Sequence, residues 1–398
     1  MIKVGILIIT KMKKLSIIFL AVALTVPTFA QLNGDGFYRV QNAKSKRYAT
    51  IVDNKAKKPE LAQGNIDLLA INTIEGFDNI VSDPGSIIYI EKHGNDGYIL
   101  SGKGMNTYSV SELYIKLNPS KTTDGSYWAS GRYSGIDKYL YEGYQETFDF
   151  WYFTSGSKNE DGSSRSRDWY IIPVNQEDNH YFGIKPEIMI NNKYYTTLYA
   201  SFAYELSTGM KAYYVKQAND KAAELVEIEG SKVPAATPVI IECSSNNHAD
   251  NKVTPIIENV KTNIQNVLKG IYFCNVIKSA ATGREYKTRF NWNTTDYDSS
   301  TMRVLGEVNG KLGFVKANDM KYLPANKAYL TVASTADDKI ELVDAATYAA
   351  GIENIATKDN AFSKGIYTLT GSKIKTENKE SLPAGVYIID GKKAIIRK

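Results

Sequence analysis

The chain has 398 residues, with 48 Lys and Arg against 43 Asp and Glu, 43% hydrophobic residues, 2 Cys, 3 His and 28 Tyr. That length accommodates two or three domains, and the balance of apolar and charged residues excludes both wholesale disorder and a protein of many membrane spans. The net charge of +5 is concentrated at one end: residues 1–30 hold Lys3, Lys11, Lys13 and Lys14 and no acidic residue, and the other 368 residues carry only +1. So small a charge gives no footprint for nucleic acid or for an anionic membrane.

The first predicted element is an export signal over residues 1–30. A basic start is followed by the apolar run Leu15 to Val26, then by small residues at Thr28 and Ala30 that suit cleavage before Gln31. The run falls short of the ~20 apolar residues that span a bilayer, so membrane contact is expected only during export. No Cys lies at the cleavage site, which argues against a lipid anchor. The expected location is secreted or cell-surface, with the periplasm as the alternative.

Residues 31–185 read as one all-β domain. Aromatic and aliphatic runs alternate with Gly, Asn, Asp and Ser clusters, the pattern of half-buried strands and hairpin turns. Four pairs of runs recur: Phe37 to Val40 with Arg47 to Thr50, Ile88 to Ile90 with Gly97 to Leu100, Tyr127-Trp128 with Lys138 to Tyr141, and Trp169 to Ile172 with Tyr181 to Ile184. Repeated hairpins point to a closed architecture that removes exposed strand edges. The first unit, Gly36-Phe37-Tyr38-Arg39-Val40-Gln41-Asn42-Ala43-Lys44-Ser45-Lys46-Arg47-Tyr48, resembles the opening hairpin of ricin-like β-trefoil domains. The resemblance implies a β-trefoil-like N-terminal domain. The Gln-x-Trp triplet of that lectin family does not occur, so its sugar-binding residues are not carried over.

Residues 186–345 read as a β-sandwich-like domain. Val233-Pro234-Ala235 and Leu323-Pro324-Ala325 each place a Pro-Ala turn just before a strand, where proline fixes the corner and stays out of the strand interior. Asp250 to Leu268 is the one segment expected to be helical. Cys243 and Cys274 both lie in strand-like runs, and after export they either bridge or remain buried thiols.

Residues 346–398 comprise a linker and a short C-terminal β segment. Gly365-Ile366-Tyr367-Thr368-Leu369-Thr370-Gly371 and Leu382-Pro383-Ala384-Gly385-Val386-Tyr387-Ile388-Ile389, ending in the basic run to Lys398, resemble the last strands of a type IX secretion sorting domain. The resemblance implies the type IX export machinery as a partner. A purely structural β cap is the alternative.

Chemistry is sparse in this sequence. Nucleophilic catalysis needs a base within hydrogen-bond reach of the nucleophile, and only His93, His180 and His248 could serve, with Cys243 and His248 the nearest pair in sequence. No zinc spacing or complete calcium loop occurs, so neither a metal nor a cofactor is expected, and the protein is not expected to be an enzyme. The positive signal is eleven aromatic residues between Tyr127 and Phe153. Aromatic rings suit stacking on sugars or docking of a protein partner, whereas core packing is the plainer reading. The candidate ligand-binding residues are Trp128, Tyr133, Tyr144 and Trp151. Together these features predict a non-catalytic exported binding protein for glycan or host/matrix protein; a structural component of the bacterial cell envelope is the alternative.

Overall fold

A computed structural model describes residues 32, 34–53, 70–95, 97–101, 113–121, 123–133, 136–145, 148–154, 167–177, 179–261, 263–271, 295–351, 366–368, 373–374, 382–389 and 392–397. The fold is all-β, and the helices among these residues are short: α1 (Phe77–Ile80), a 3-10 turn (Pro84–Ser86) and residues 345–351.

The first ten strands are β1 (Gly36–Asn42), β2 (Tyr48–Asp53), β3 (Ala70–Ile74), β4 (Ile88–His93), β5 (Gly97–Ser101), β6 (Leu113–Pro119), β7 (Tyr127–Tyr133), β8 (Ile136–Gln145), β9 (Phe148–Thr154) and β10 (Asp168–Pro173). Six of them close a ring of antiparallel pairs in the order β1, β4, β5, β6, β7, β10 and back to β1. The hairpin β2–β3 extends from β1, β8–β9 extends from β7, and the two meet where Asn72 pairs with Phe150. Alternation along the strands sends Tyr38, Val40, Ile88, Ile90, Leu100, Ile115, Ala129, Trp169 and Ile171 into one core inside the barrel.

Three of the four expected hairpins form: β1–β2, β4–β5 and β7–β8. The fourth does not. β10 already pairs with β1 on one flank and β7 on the other, so the chain leaves the barrel and Phe182–Gly183 pairs instead with Val253 and Lys252.

Two sheets follow. The smaller has the order Phe182–Gly183, Lys252–Ile256, Ala203–Leu206, Lys232–Val233. The larger has ten strands and runs from Ile188–Ile190 through Lys193–Leu198, Val239–Cys243, Lys211–Ala218 and Ala222–Glu227 to Lys339–Val343, Lys311–Val315, Met302–Val308, Ala328–Thr331 and Leu268–Gly270. It curls into a half-barrel, since the Val267 N–H just before its last strand donates to the Val215 carbonyl in its middle at 2.8 Å. Hairpin tips at Asn191-Asn192 and Asn309-Gly310 have positive φ at both positions, as tight type I′ turns require.

Residues 250–268 are not helical. Lys252–Ile256 is a strand with Val253 and Pro255 buried, because β-branched residues at alternate positions and a proline favour the extended form and deny a helix its donor. A further four-stranded sheet, Lys373–Ile374, Ile366–Thr368, Gly385–Ile389 and Lys392–Ile396, packs its own small core around Ile366, Leu382 and Ile389.

β1 and β4 serve two cores at once. Their inward residues fill the barrel, while Phe37 and Tyr89, with Ile87, join Phe182, Phe202, Tyr204 and Ile241 in a core shared with the second region. At this junction sits Arg39, fully buried. Its Nε donates to the His180 carbonyl (3.0 Å), Nη1 to the Ile80 carbonyl (3.2 Å) and Ser86 Oγ (2.5 Å), and Nη2 to the Val81 (3.3 Å) and Tyr181 (2.7 Å) carbonyls. Asp83 lies close by and accepts from Thr50 Oγ1, the Gly85 N–H and Asn326 Nδ2. Burial raises its carboxyl above the usual range, against the hydrogen bonds and the pull of Arg39.

Arg39→Met keeps the stem and removes these five guanidinium hydrogen bonds, to four backbone carbonyls and the Ser86 hydroxyl, from a dry junction. A loss on the order of 3 kcal/mol or more is expected in urea unfolding. Arg39→Lys, with at most three donors, should fall between that variant and the parent. A change below about 1 kcal/mol for both, the size of one ordinary hydrogen bond, would mean that the junction does not depend on this guanidinium.

Candidate functional site

The ring order decides which outer faces of the barrel are free. The β1–β4 face is covered by the second region, and β6–β7 lie directly across the ring from it. On β7, Tyr127 and Ala129 pack toward the barrel core, so Trp128 between them points outward and is half-buried. Direct cross-strand pairing puts Asn118 of β6 on one side of Trp128 and Asp168 of β10 on the other.

This row is organised by short-range bonds. Asp168 Oδ2 accepts from Ser120 Oγ and Thr123 Oγ1, both at 2.9 Å, which folds the 120–126 turn onto β10. Asn118 Nδ2 donates to Ser130 Oγ at 3.3 Å. Tyr170, two residues along from Asp168, lies under the Lys46 ammonium at 4.7 Å. Its phenol is raised by burial first, then by the charges of Asp168 and Asp124, and so stays protonated at neutral pH. A flat indole bordered by a carboxylate, an amide and hydroxyls can stack and hydrogen-bond, and no nucleophile with its base stands in this row.

The four aromatic candidates do not share one face. The register Ser130↔Tyr139 and Tyr139↔Thr154 carries the parity of Trp128 through odd positions of β8 and even positions of β9. Tyr133, Tyr144 and Trp151 occupy the opposite positions, continuous with Tyr127 and Ala129. The side chains of those three lie outside the described residues, as does Cys274.

Cys243 is a free, buried thiol. Burial pushes it up to about 12, against the attraction of Lys327 and reinforced by Glu242. His248, its nearest neighbour among histidines in sequence, is engaged elsewhere: Nδ1 meets the Tyr181 hydroxyl at 2.8 Å and Nε2 lies 3.3 Å from Asp78 Oδ1. Burial is the main cause that raises the Tyr181 phenol, with Asp78 and Asp250 adding to it, so the group acts as a clasp between α1 and the 244–251 loop. Tyr181 and Asp78 are 67 and 170 positions from His248, and no spacing signal in the sequence joins the three.

A third polar group sits at the rim of the half-barrel. Glu242 accepts from Tyr195 (3.2 Å), Tyr213 (3.1 Å) and Lys193 (3.0 Å). Burial, then the carboxylate, pushes Tyr195 up to about 12 and Tyr213 higher still. A groove of about 980 Å³ lies between the Pro234–Pro238 turn and residues 256–268 over Phe37 and Phe202, and a pocket of about 220 Å³ lies beside Lys327 in the half-barrel. Among the described residues no three His, Cys, Asp or Glu side chains cluster to hold a metal, and no helix is long and apolar enough to cross a membrane.

A thiol this far from ionisation is inert. In a Cys274→Ser variant, iodoacetamide at pH 8.5 is expected to leave Cys243 unmodified in the native protein and to alkylate it fully in 6 M urea, read by intact mass. Modification at equal rates in both states would contradict the burial.

The comparisons add no relative: no protein-family model, no curated protein and no solved structure matches the chain.

Proposed function

We propose that the protein is a non-catalytic exported binding protein that recognises glycan or host/matrix protein through the outer face of its N-terminal barrel. The observation that carries this reading is the row Asn118, Trp128, Asp168 on the barrel wall opposite the face buried by the second region. Stacking area and oriented hydrogen-bond partners stand side by side there, the pairing that sugar and protein ligands both use. In this reading Trp128 is the anchor; Tyr133, Tyr144 and Trp151 stand at register positions of the opposite parity.

The β-trefoil reading of the barrel is part of the proposal. It is supported by six ring strands and by hairpins inserted after the first and fifth of them in chain order, β2–β3 and β8–β9. The position for a third hairpin, between β5 and β6, falls at residues 102–112, outside the described residues. A sandwich reading of the second region is supported by the core its two sheets share around Phe182, Phe202, Val239 and Ile241.

The alternative, an envelope-assembly component, is favoured by the C-terminal sheet. Among the described residues its outer strand Lys392–Ile396 pairs on one side only, and it exposes Ile395, a ready contact for another chain. The same edge fits the proposed handling by type IX export machinery and a surface or secreted location.

The test is binding of residues 31–398 and of Trp128→Ala to a broad array of glycans, mucins and matrix proteins. The variant is expected to keep its unfolding midpoint to within a few degrees and to lose at least about tenfold in affinity, the effect of removing an aromatic anchor. Equal binding by both proteins would exclude this face, and silence of the parent across the array together with a co-purifying envelope protein would favour the assembly reading.

A further inference from the structure

The pocket of about 220 Å³ in the half-barrel has two unlike ends. Its walls are Ile271, Val304, Met320, Leu323 and Tyr329, a satellite cluster in which only Ile271 and Leu323 are fully buried. Burial raises the Tyr329 phenol, as an apolar surround demands. The other end carries Lys327, Thr197 and Glu187.

The Lys327 side chain is only 25% exposed, and two of its three N–H donors are spoken for among the described residues: one goes to Thr196 Oγ1 at 2.8 Å and one to Glu187 Oε1 at 2.9 Å. Glu187 is 53% exposed, and its second oxygen accepts from the buried Thr196 hydroxyl at 2.9 Å. Thr197 Oγ1 accepts from the Ala328 N–H at 3.1 Å, and its own proton has no acceptor among the described residues. One ammonium proton and one hydroxyl proton are therefore left at the head of an apolar pocket, beside a counter-ion that is held from the solvent side.

We propose that this pocket binds a small monocarboxylate with an apolar body, its carboxylate taking the Lys327 and Thr197 donors in place of Glu187. The exchange conserves charge, since one carboxylate replaces another beside the same ammonium, and it returns Glu187 to water, where a half-exposed side chain loses little. The volume lies below the ~300–1,000 Å³ of pockets for drug-sized ligands, which restricts the body to a short chain or a single ring. A cation is rejected by Lys327, and a neutral alcohol of the same length fills the walls without meeting the charge.

Hexanoate is a suitable probe, with hexylamine and 1-hexanol as controls, titrated into the full chain and followed by the methyl signal of Met320 in carbon-labelled protein. Saturable binding of hexanoate is expected, at least about tenfold tighter than hexanol and with none for hexylamine. Lys327→Met should weaken it about tenfold or more, whereas Glu187→Gln, which removes the competing carboxylate and keeps the shape, should tighten it several-fold. That gain separates the proposal from a merely structural ion pair, which would give no gain, and it survives if Lys327→Met fails to fold. No saturable shift with hexanoate up to 10 mM, or equal binding of hexylamine, would overturn the assignment, as would a Glu187→Gln variant that binds no more tightly than the parent.

Discussion

The guanidinium of Arg39 is the constraint on which the arrangement of the two large regions depends. A charge with no water around it costs several kcal/mol unless every donor is met, and here carbonyl dipoles from two distant stretches meet them: Ile80 and Val81 at the end of α1, His180 and Tyr181 on the way out of the barrel. β1 therefore cannot reach its final environment until both stretches have docked. Phe37 on the same strand face enters the core of the second region, so the polar clamp and the apolar contact enforce one another. Gly85 shows how tight this corner is, since a Cβ there would stand 2.5 Å from the Ile51 carbonyl.

The second region repeats the device at its far end. Arg303, nearly fully buried, donates to the carbonyls of Ser299, Met302, Ala336 and Asp337 and so pins two loops to the start of its strand. Among the described residues carbonyls accept most of these hydrogen bonds in both places, with Asp338 3.8 Å from Arg303 and Asp83 acting on Arg39 through its field. Backbone carbonyls cannot be titrated away, so these clamps hold across the pH range in which an ion pair with Asp or Glu would be lost.

Much of the fold was legible because alternation maps directly onto strands. The runs at Phe37 to Val40, Ile88 to Ile90 and Trp169 to Ile172 each became barrel strands, and Asn309-Gly310 is a hairpin tip. What the pattern could not convey is that both faces of β1 and β4 are buried, because Arg39 on an otherwise alternating strand reads as a solvent-facing residue. The expectation of a fourth hairpin failed for a reason outside its own residues, namely that both flanks of β10 were already taken. The helix expected at 250–268 gives way to the strand Lys252–Ile256, because Pro255 and the β-branched residues beside it favour the extended form. The aromatic density of residues 127–153 leaves core packing and a binding platform both open, since a strand divides neighbouring residues between faces and a hairpin transmits that division. Trp128 and Trp151 are close in sequence terms and opposite in parity. The clasp of Tyr181, His248 and Asp78 had no local signature at all, since it exists only once the barrel and the 244–251 loop are side by side.

Closure and openness divide the molecule by the kind of contact it can make. A ring of six paired strands has no free edge, so the barrel can meet a partner only through side chains, and the wall opposite its buried face is where a half-buried indole stands beside oriented polar groups. The C-terminal sheet is the reverse case: among the described residues Lys392–Ile396 keeps one row of backbone donors and acceptors unpaired. On this strand Ile395 is exposed, and so is Arg397 two residues on. Among the described residues, side-chain contact on the closed barrel and backbone pairing at the C-terminal strand edge thus stand at opposite ends of the sequence.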